Sequence, residues 1–149
     1  MIDSMPPAEV ANTDRFERFG LDADAQAVAR TRQEFAQWLH RFFDLDPVRC
    51  SDLVLAINEA LANAAEFAYL LTDDHAGTMD IQAAYHPAEQ KLTVLISDRG
   101  TWRTRQIDPA PRTRGRGIPL MEILSDRATI ESSADGTRVL LEWHGITRT

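Results

Sequence analysis

The spacing of apolar residues predicts two long helices in the first half of the chain. After the candidate helix starts Asp22 and Asp24, apolar side chains recur every three or four residues as far as Phe42. A second helix is predicted to begin at Pro47, because Asp46 suits the N-cap and proline loses nothing by lacking an N–H donor at the first helical position. The apolar face of this second helix contains Leu53, Ile57, Leu61, Ala64 and Ala68.

The rest of the chain is dominated by the alternating pattern of strands. A short strand from Arg15 to Phe19 precedes the first helix, and a short helix from Ile118 to Leu124 interrupts the later strands. Those later strands run from Met79 to Tyr85, Lys91 to Ser97, Arg127 to Ser132 and Thr137 to Trp143. Helices followed by antiparallel hairpins indicate an α+β fold, a two-layer sandwich with helices on one face of a mixed or antiparallel sheet.

Length and composition favour one soluble domain. Of the 149 residues, 14 to 145 are expected to form this domain, with a flexible N-terminal tail at 1–13 and a C-terminal tail at 146–149. The net charge of -7 disfavours a broad electrostatic contact with nucleic acid. The single cysteine excludes an internal disulfide, and no segment approaches the roughly 20 apolar residues of a membrane span. A cytoplasmic location is therefore expected.

The second helix carries two polar residues at an unusual place. Glu59 and Asn63 are four residues apart, so they share one helix face among alanines and leucines. A buried carboxylate without a partner costs several kcal/mol. A metal ion, a bound phosphate or a proton transfer would justify this pair, and a solvated helix face is the ordinary alternative.

Two glycine-containing clusters follow. Asp98 and Gly100 end an apolar strand, where the carboxylate could accept a hydrogen bond from an exocyclic amine such as that of adenine. Gly115 and Gly117 lead directly into the short helix, where exposed backbone amides and the helix dipole favour phosphate. Each cluster alone could be an ordinary turn or bend, but their joint occurrence after Glu59 and Asn63 favours a nucleotide site.

In this order, the motifs resemble the N, G1 and G2 boxes of the GHKL ATPase superfamily. The motifs are Glu-x-x-x-Asn, Asp-x-Gly, Arg-Gly-Arg-Gly-Ile-x-Leu-Met and a final Asp-Gly-Thr. The chain most closely resembles the small bacterial anti-sigma-factor serine/threonine kinases of the RsbW and SpoIIAB type, from about Arg15 to Trp143. This resemblance implies the Bergerat ATPase fold with ATP and Mg²⁺ as cofactors.

The resemblance also implies a role for each matching residue. Glu59 would be the general base that activates a substrate hydroxyl, and Asn63 would ligate Mg²⁺. Asp98 would recognise the adenine amine, with Gly100 leaving space beside the base. The other implied nucleotide contacts are a phosphate-binding segment with Arg114, Gly115, Gly117 and Ile118, an ATP lid from Thr101 to Thr113, and Thr137 near the adenine through its hydroxyl or a bridging water.

Two positions depart from the family pattern. Phe67 stands where a histidine often follows the N-box asparagine, which changes the packing beside the site. Trp102 replaces the second glycine of the G1 box, where its ring would either crowd the nucleotide or stack over it. Trp102 therefore bears directly on ATP affinity.

Partners are implied only by the resemblance. Such proteins bind a sigma factor and phosphorylate a STAS-domain anti-anti-sigma factor, so that partner exchange regulates transcription in a stress response, and they form homodimers. Two alternatives stay open for this chain. One is a nucleotide-binding adaptor with weakened catalysis, and the other is a pure protein-interaction module whose polar helix face binds a partner.

Overall fold

A six-stranded antiparallel sheet with helices packed on one face forms the core of the protein. The computed structural model describes residues 9–11, 13–70, 77–98, 117–133 and 136–149. In chain order the elements are β1 (Glu9–Ala11), β2 (Arg15–Asp22), α1 (Ala25–Phe42), β3 (Phe43–Asp44), α2 (Pro47–Leu70), β4 (Thr78–His86), a 3-10 turn (Pro87–Glu89), β5 (Lys91–Asp98), α3 (Gly117–Leu124), β6 (Arg127–Ser133), β7 (Gly136–Trp143) and β8 (Thr147–Arg148). The predicted α+β fold class is confirmed.

The sheet has the strand order β1-β2-β4-β5-β7-β6, and every neighbouring pair is antiparallel. Along the central strand β5, Leu92, Val94 and Ile96 are buried, while the residues between them are half-buried. This alternation turns one sheet face toward the helices and leaves the other with mainly polar residues. The end of β5 at Asp98 therefore lies at the edge of a well-packed core.

Helix α1 begins where the sequence predicted. The backbone of Asp24 is extended, and its carboxylate accepts a hydrogen bond from the Ala27 N–H at 2.8 Å, as expected of an N-cap. The helix buries Phe35, Trp38 and Leu39 against the sheet. Rings of Phe16, Phe35, Trp38, Phe43 and Tyr85 form a continuous cluster with centroid separations from 4.9 to 5.7 Å.

Helix α2 is the longest element and carries Glu59 and Asn63. Asp46 Oδ1 accepts the Arg49 N–H at 2.7 Å, which confirms the predicted N-cap and the start at Pro47. Leu53, Ile57 and Leu61 are fully buried. Helix α2 contacts both α1 and α3 and packs over β4 and β5.

Both stretches expected to be tails contain secondary structure. Strand β1, inside residues 1–13, pairs with β2, and β8 pairs with β3. Ile146 is fully buried, and its carbonyl accepts a hydrogen bond from the Tyr85 hydroxyl at 2.6 Å. Ile146 therefore belongs to the core, and the exposed Thr147 and Arg148 are attached to the domain by their pairing with β3. Their sequence did not show this because two-residue strands carry no periodic signal.

Candidate active site

Asp98 is a buried acid at the C-terminal end of β5. Only 2% of its surface is exposed. Burying a carboxylate is costly unless its oxygens accept hydrogen bonds, and Asp98 Oδ2 accepts the Thr137 N–H of strand β7 at 3.0 Å. This hydrogen bond joins two residues that the family resemblance places beside adenine.

Gly136 allows β7 to approach Asp98 closely. A Cβ at this position would lie 2.4 Å from the Asp98 carbonyl oxygen and 3.2 Å from Asp98 Oδ1. Its φ of 146° is also a backbone conformation that side-chain-bearing residues rarely adopt. Gly136 was not among the predicted site residues, although its place directly before Thr137 in an Asp-Gly-Thr motif was a signal.

The hydroxyl of Thr137 has unused hydrogen-bonding capacity. Thr137 Oγ1 is buried and has no hydrogen-bond partner among the residues that the structure describes. Most buried side-chain polar atoms have at least one partner. The backbone N–H of the same residue binds Asp98. The Asp98 carboxylate at the end of β5 and the Thr137 hydroxyl at the start of β7 are therefore contributed by neighbouring strands.

Glu59 and Asn63 lie on α2 and are half-buried. They are one helical turn apart, next to the fully buried Ala60, as the sequence predicted. Within the described parts of the chain, neither side chain makes a hydrogen bond or an ion pair. Both side chains are therefore partly accessible to solvent.

One side of α2 faces α1. Asn58 accepts a hydrogen bond from Arg32 of α1 at 3.1 Å, so its side chain faces α1. Successive residues of a helix are rotated by about 100°, which turns Glu59 and Asn63 away from that flank. Relative to Asn58, Glu59 is rotated by about 100° and Asn63 by about 140° around the helix axis.

Several predicted site residues fall outside the described residues. These are Gly100, Arg114 and Gly115, together with Trp102 and the rest of the expected lid from 101 to 113. Gly117 is the first residue of α3, and Ile118 is the second. A phosphate at the beginning of this helix would meet its free backbone amides.

The polar side chains of the site suit a bound nucleotide better than a metal ion whose ligands all come from the protein. The described residues contain no group of three histidine, cysteine or acidic side chains that could hold a metal ion. A magnesium ion needs few protein ligands when phosphates complete its shell, and the amide oxygen of Asn63 is suited to that role. The unsatisfied Thr137 hydroxyl beside Asp98 suits a polar base edge.

The chain matches the model of the histidine kinase-like ATPase domain over residues 21–143. It therefore belongs to the histidine kinase-like ATPase family, and membership in an ATPase family implies ATP binding. Among solved structures, the chain is similar to the RsbU and RsbW domains of Rv1364c from Mycobacterium tuberculosis, at 26% identity and a TM-score of 0.66 over 91% of this chain. The present chain spans 33% of that longer chain.

Together, the family match and the structural likeness to a protein with an RsbW domain confirm the resemblance to anti-sigma-factor kinases of the GHKL type. None of the helices in the described segments is long and apolar enough to cross a membrane.

Proposed function

We propose that the chain is an ATP-dependent serine/threonine kinase that also binds a sigma factor. The observation that carries the nucleotide part is the buried Asp98, bonded to Thr137 N–H beside an unsatisfied Thr137 hydroxyl. Membership in the histidine kinase-like ATPase family supports it. The likeness to a protein with an RsbW domain supports the anti-sigma part.

In the proposed complex, Asp98 accepts a hydrogen bond from the adenine amine, and the Thr137 hydroxyl contacts the base directly or through water. Gly100 leaves space beside the base. Arg114 and the backbone amides from Gly115 to Ile118 bind the phosphates at the start of α3, where the helix dipole favours negative charge. Each contact uses chemistry that the residue type can supply.

The proposed reaction transfers the terminal phosphoryl group of ATP to a hydroxyl. Glu59 accepts the proton of the attacking substrate hydroxyl. The hydroxyl oxygen forms a bond to the terminal phosphorus, and the bond between that phosphorus and the ADP oxygen breaks. Asn63 would provide a protein oxygen to Mg²⁺, which neutralises phosphate charge when bound. The accessible position of Glu59 on α2 is compatible with a protein substrate.

The proposed phosphate acceptor is a serine or threonine of a STAS-domain anti-anti-sigma factor. The unphosphorylated antagonist competes for the kinase and frees the sigma factor, and phosphorylation releases the antagonist. A cytoplasmic homodimer that regulates transcription in response to stress is the corresponding cellular role. The likeness to a protein with an RsbW domain supports this switch.

Trp102 favours a second candidate, a nucleotide-binding adaptor with weakened catalysis. Its indole stands where the family pattern has a glycine. In that case ATP would bind, and the antagonist would bind without being phosphorylated.

Two measurements test the proposal. Titration with ATP and Mg²⁺ should give saturable binding, whereas absence of binding would exclude both the kinase and the nucleotide adaptor. Purified antagonist and labelled ATP should then yield phosphorylated antagonist, with a rate that Glu59→Gln lowers about 10²- to 10⁴-fold while ATP still binds. Glu89→Gln, an exposed acid on the β4–β5 turn, is the matched control. Normal transfer by Glu59→Gln would show that Glu59 is not the base.

A further inference from the structure

The outer face of the sheet, opposite to the helices, carries an ordered pattern of charges. Successive residues of a strand point to opposite faces, so the residues between the buried Leu92, Val94 and Ile96 of β5 belong to this outer face. Strand pairing aligns them with residues of the neighbouring strands in three rows, which we call A, B and C. Row A contains Arg15, Ala84, Thr93, Glu142 and Arg127, row B contains Glu17, Gln82, Leu95, Leu140 and Thr129, and row C contains Asp80, Ser97, Arg138 and Glu131.

Row B runs through the middle of the face and is its least charged row. Leu95 and Leu140 lie opposite each other on β5 and β7, and both are half-buried. Their neighbours in the row on β4 and β6 are neutral. The only charged residue of the row is Glu17 at the β2 end, and its Oε2 lies 3.8 Å from Arg15 Nη1. An apolar centre with a polar border is typical of a protein interface.

Rows A and C border this centre with opposite charge. Row A has two arginines and one glutamate, whereas row C has two acids and one arginine. On β7, Glu142 belongs to row A and Arg138 to row C, and on β6, Arg127 belongs to row A and Glu131 to row C. Within the described part of the chain, Arg127, Glu131 and Arg138 form no ion pair. Their charges are therefore available to a partner.

This pattern is complementary to itself under a two-fold axis that lies along row B. A copy related by such an axis faces the sheet with its row A over row C of the first chain, strand for strand. Glu142 then lies over Arg138 of the second copy, and Arg127 lies over Glu131 of the second copy. The row B leucines meet at the axis. The strands of the two sheets are aligned in this arrangement, as they are in many β-sandwiches.

A two-fold axis parallel to the strands gives a poorer match. An axis along β5 would bring Asp80 over Arg138 of the second copy. It would also bring Arg15 over Arg127, and this contact between like charges offsets the first. On the row B axis the one contact between like charges is that of Glu17 with its own symmetry mate, and the ion pair with Arg15 reduces its charge. Charge complementarity therefore favours the axis along row B.

We propose that a second copy of this chain covers the outer face of the sheet, with the two-fold axis along row B. The inference rests on the homodimer that forms part of the proposed function, and it adds the surface that holds the two copies together. Asp98 belongs to the alternate set of β5 residues, which faces the helices. The two nucleotide sites therefore lie on the sides of the sheets away from this interface.

Charge reversal in two separate variants tests the interface. Arg138→Glu places a glutamate over Glu142 of the second copy, and Glu142→Arg places an arginine over Arg138, each twice per dimer. Sedimentation equilibrium should show that each variant dimerises about tenfold or more weakly than wild type. Arg41→Glu, at an exposed residue of α1, is the matched control and should keep the dissociation constant within about twofold. Circular dichroism checks that each variant keeps its fold.

An equimolar mixture of the two variants provides a second test. In the mixed dimer, the introduced glutamate faces the introduced arginine, and the other contact is the native pair of Glu142 with Arg138. Native mass spectrometry should therefore find more mixed dimer than the half expected from random pairing. Residues 138 and 142 are roughly 14 Å apart along one strand, so pairing within a chain cannot produce this excess. A mixed-dimer share of half or less would overturn the proposal.

The same measurements separate this surface from the free edge of β6. Two β6 strands paired edge to edge around Thr129 would also bring Arg127 opposite Glu131. A dimer weakened by Arg127→Glu but not by Arg138→Glu would assign the interface to that edge and overturn the proposal. A wild-type chain that stays monomeric at every concentration would refute the homodimer itself. A dimer unaffected by Arg138→Glu and Glu142→Arg would refute only the sheet face, and ATP titration tests the kinase function independently of both.

Discussion

At the scale of single residues, Gly136 decides how closely β7 approaches β5. Gly136→Ala would place a Cβ 2.4 Å from the Asp98 carbonyl oxygen, so either the strand moves or the hydrogen bond from Thr137 to Asp98 breaks. We expect a loss of about 1–3 kcal/mol in the free energy of unfolding and an ATP affinity lowered about tenfold. Denaturant unfolding and ATP titration measure the two effects.

Gly145→Ala is the matched control for this prediction. Gly145 also has a positive φ, 69°, but a Cβ there would meet nothing within 4 Å. The Gly145→Ala variant should therefore be destabilised by backbone strain without a change in its ATP affinity. Equal ATP affinities for the two variants would show that the contact with Asp98 has no role in nucleotide binding.

Cys50 provides a prediction of pH dependence. Burial raises the pKa of its thiol, because the low-polarity surroundings disfavour the thiolate. The thiolate is the reactive form, so a raised pKa means less of it at any pH below that pKa. The alkylation rate should therefore rise at a higher pH in the folded chain than in the same chain unfolded in urea. Coincident pH profiles would contradict this assignment.

At the scale of elements, the sequence predicted the helix starts and strand bounds that depend on neighbouring residues. The helix starts at Asp24 and Asp46 followed from side chains that cap neighbouring backbone N–H groups, and the structure confirms both. Alternation located β4, β5, β6 and β7 to within a residue at each end. These features depend on residues that are close together in the chain.

Non-local features could not be predicted in the same way. The hydrogen bond between Asp98 and Thr137 joins residues 39 positions apart and depends on the pairing of β5 with β7. The need for glycine at 136 arises from the same contact. The motif resemblance named Asp98 and Thr137 as site residues, but only the sheet shows how they touch. The role of Glu59 as base stays a prediction.

Helix α3 depends on its surroundings, because eight residues are too few for a stable isolated helix. Its last turn is held by two side-chain donors: Trp143 Nε1 donates to the Leu124 carbonyl at 2.8 Å, and Ser125 Oγ donates to the Met121 carbonyl at 2.7 Å. These bonds satisfy carbonyls that the helix itself leaves unpaired. They fix the end of α3 opposite to Gly117.

Trp143→Phe tests this arrangement, because it keeps an aromatic ring but removes the N–H donor. We expect a loss of about 1–3 kcal/mol in the free energy of unfolding from the unpaired Leu124 carbonyl. If α3 positions the phosphates, the affinity for ATP should fall more than that for adenosine. Ser125→Ala should act in the same direction. Equal losses for ATP and adenosine would indicate a general structural effect.

At the scale of the whole molecule, the C-terminal strap, residues 146–149, connects distant parts of the sheet and helices. The Ile146 N–H donates to the Gln90 carbonyl at the β4–β5 turn, and the Thr149 N–H donates to Phe42 at the end of α1. Arg148 Nη1 lies 2.9 Å from Asp14 Oδ1, just before β2. The strap therefore contacts the chain just before β5 begins, whereas Asp98 lies at the other end of that strand.

Burial of Ile146 and the ion pair of Arg148 with Asp14 should contribute unequally to the free energy of unfolding. Ile146→Ala removes a fully buried side chain, so the free energy of unfolding should fall by about 2–5 kcal/mol. Arg148→Ala removes an ion pair whose side chains are 38% and 48% exposed, and solvent screening limits its contribution to about 1 kcal/mol or less. Denaturant unfolding of both variants, compared with wild type, measures the difference. A larger loss for Arg148→Ala than for Ile146→Ala would show that the strap is held by charge rather than by the packing of Ile146 into the core.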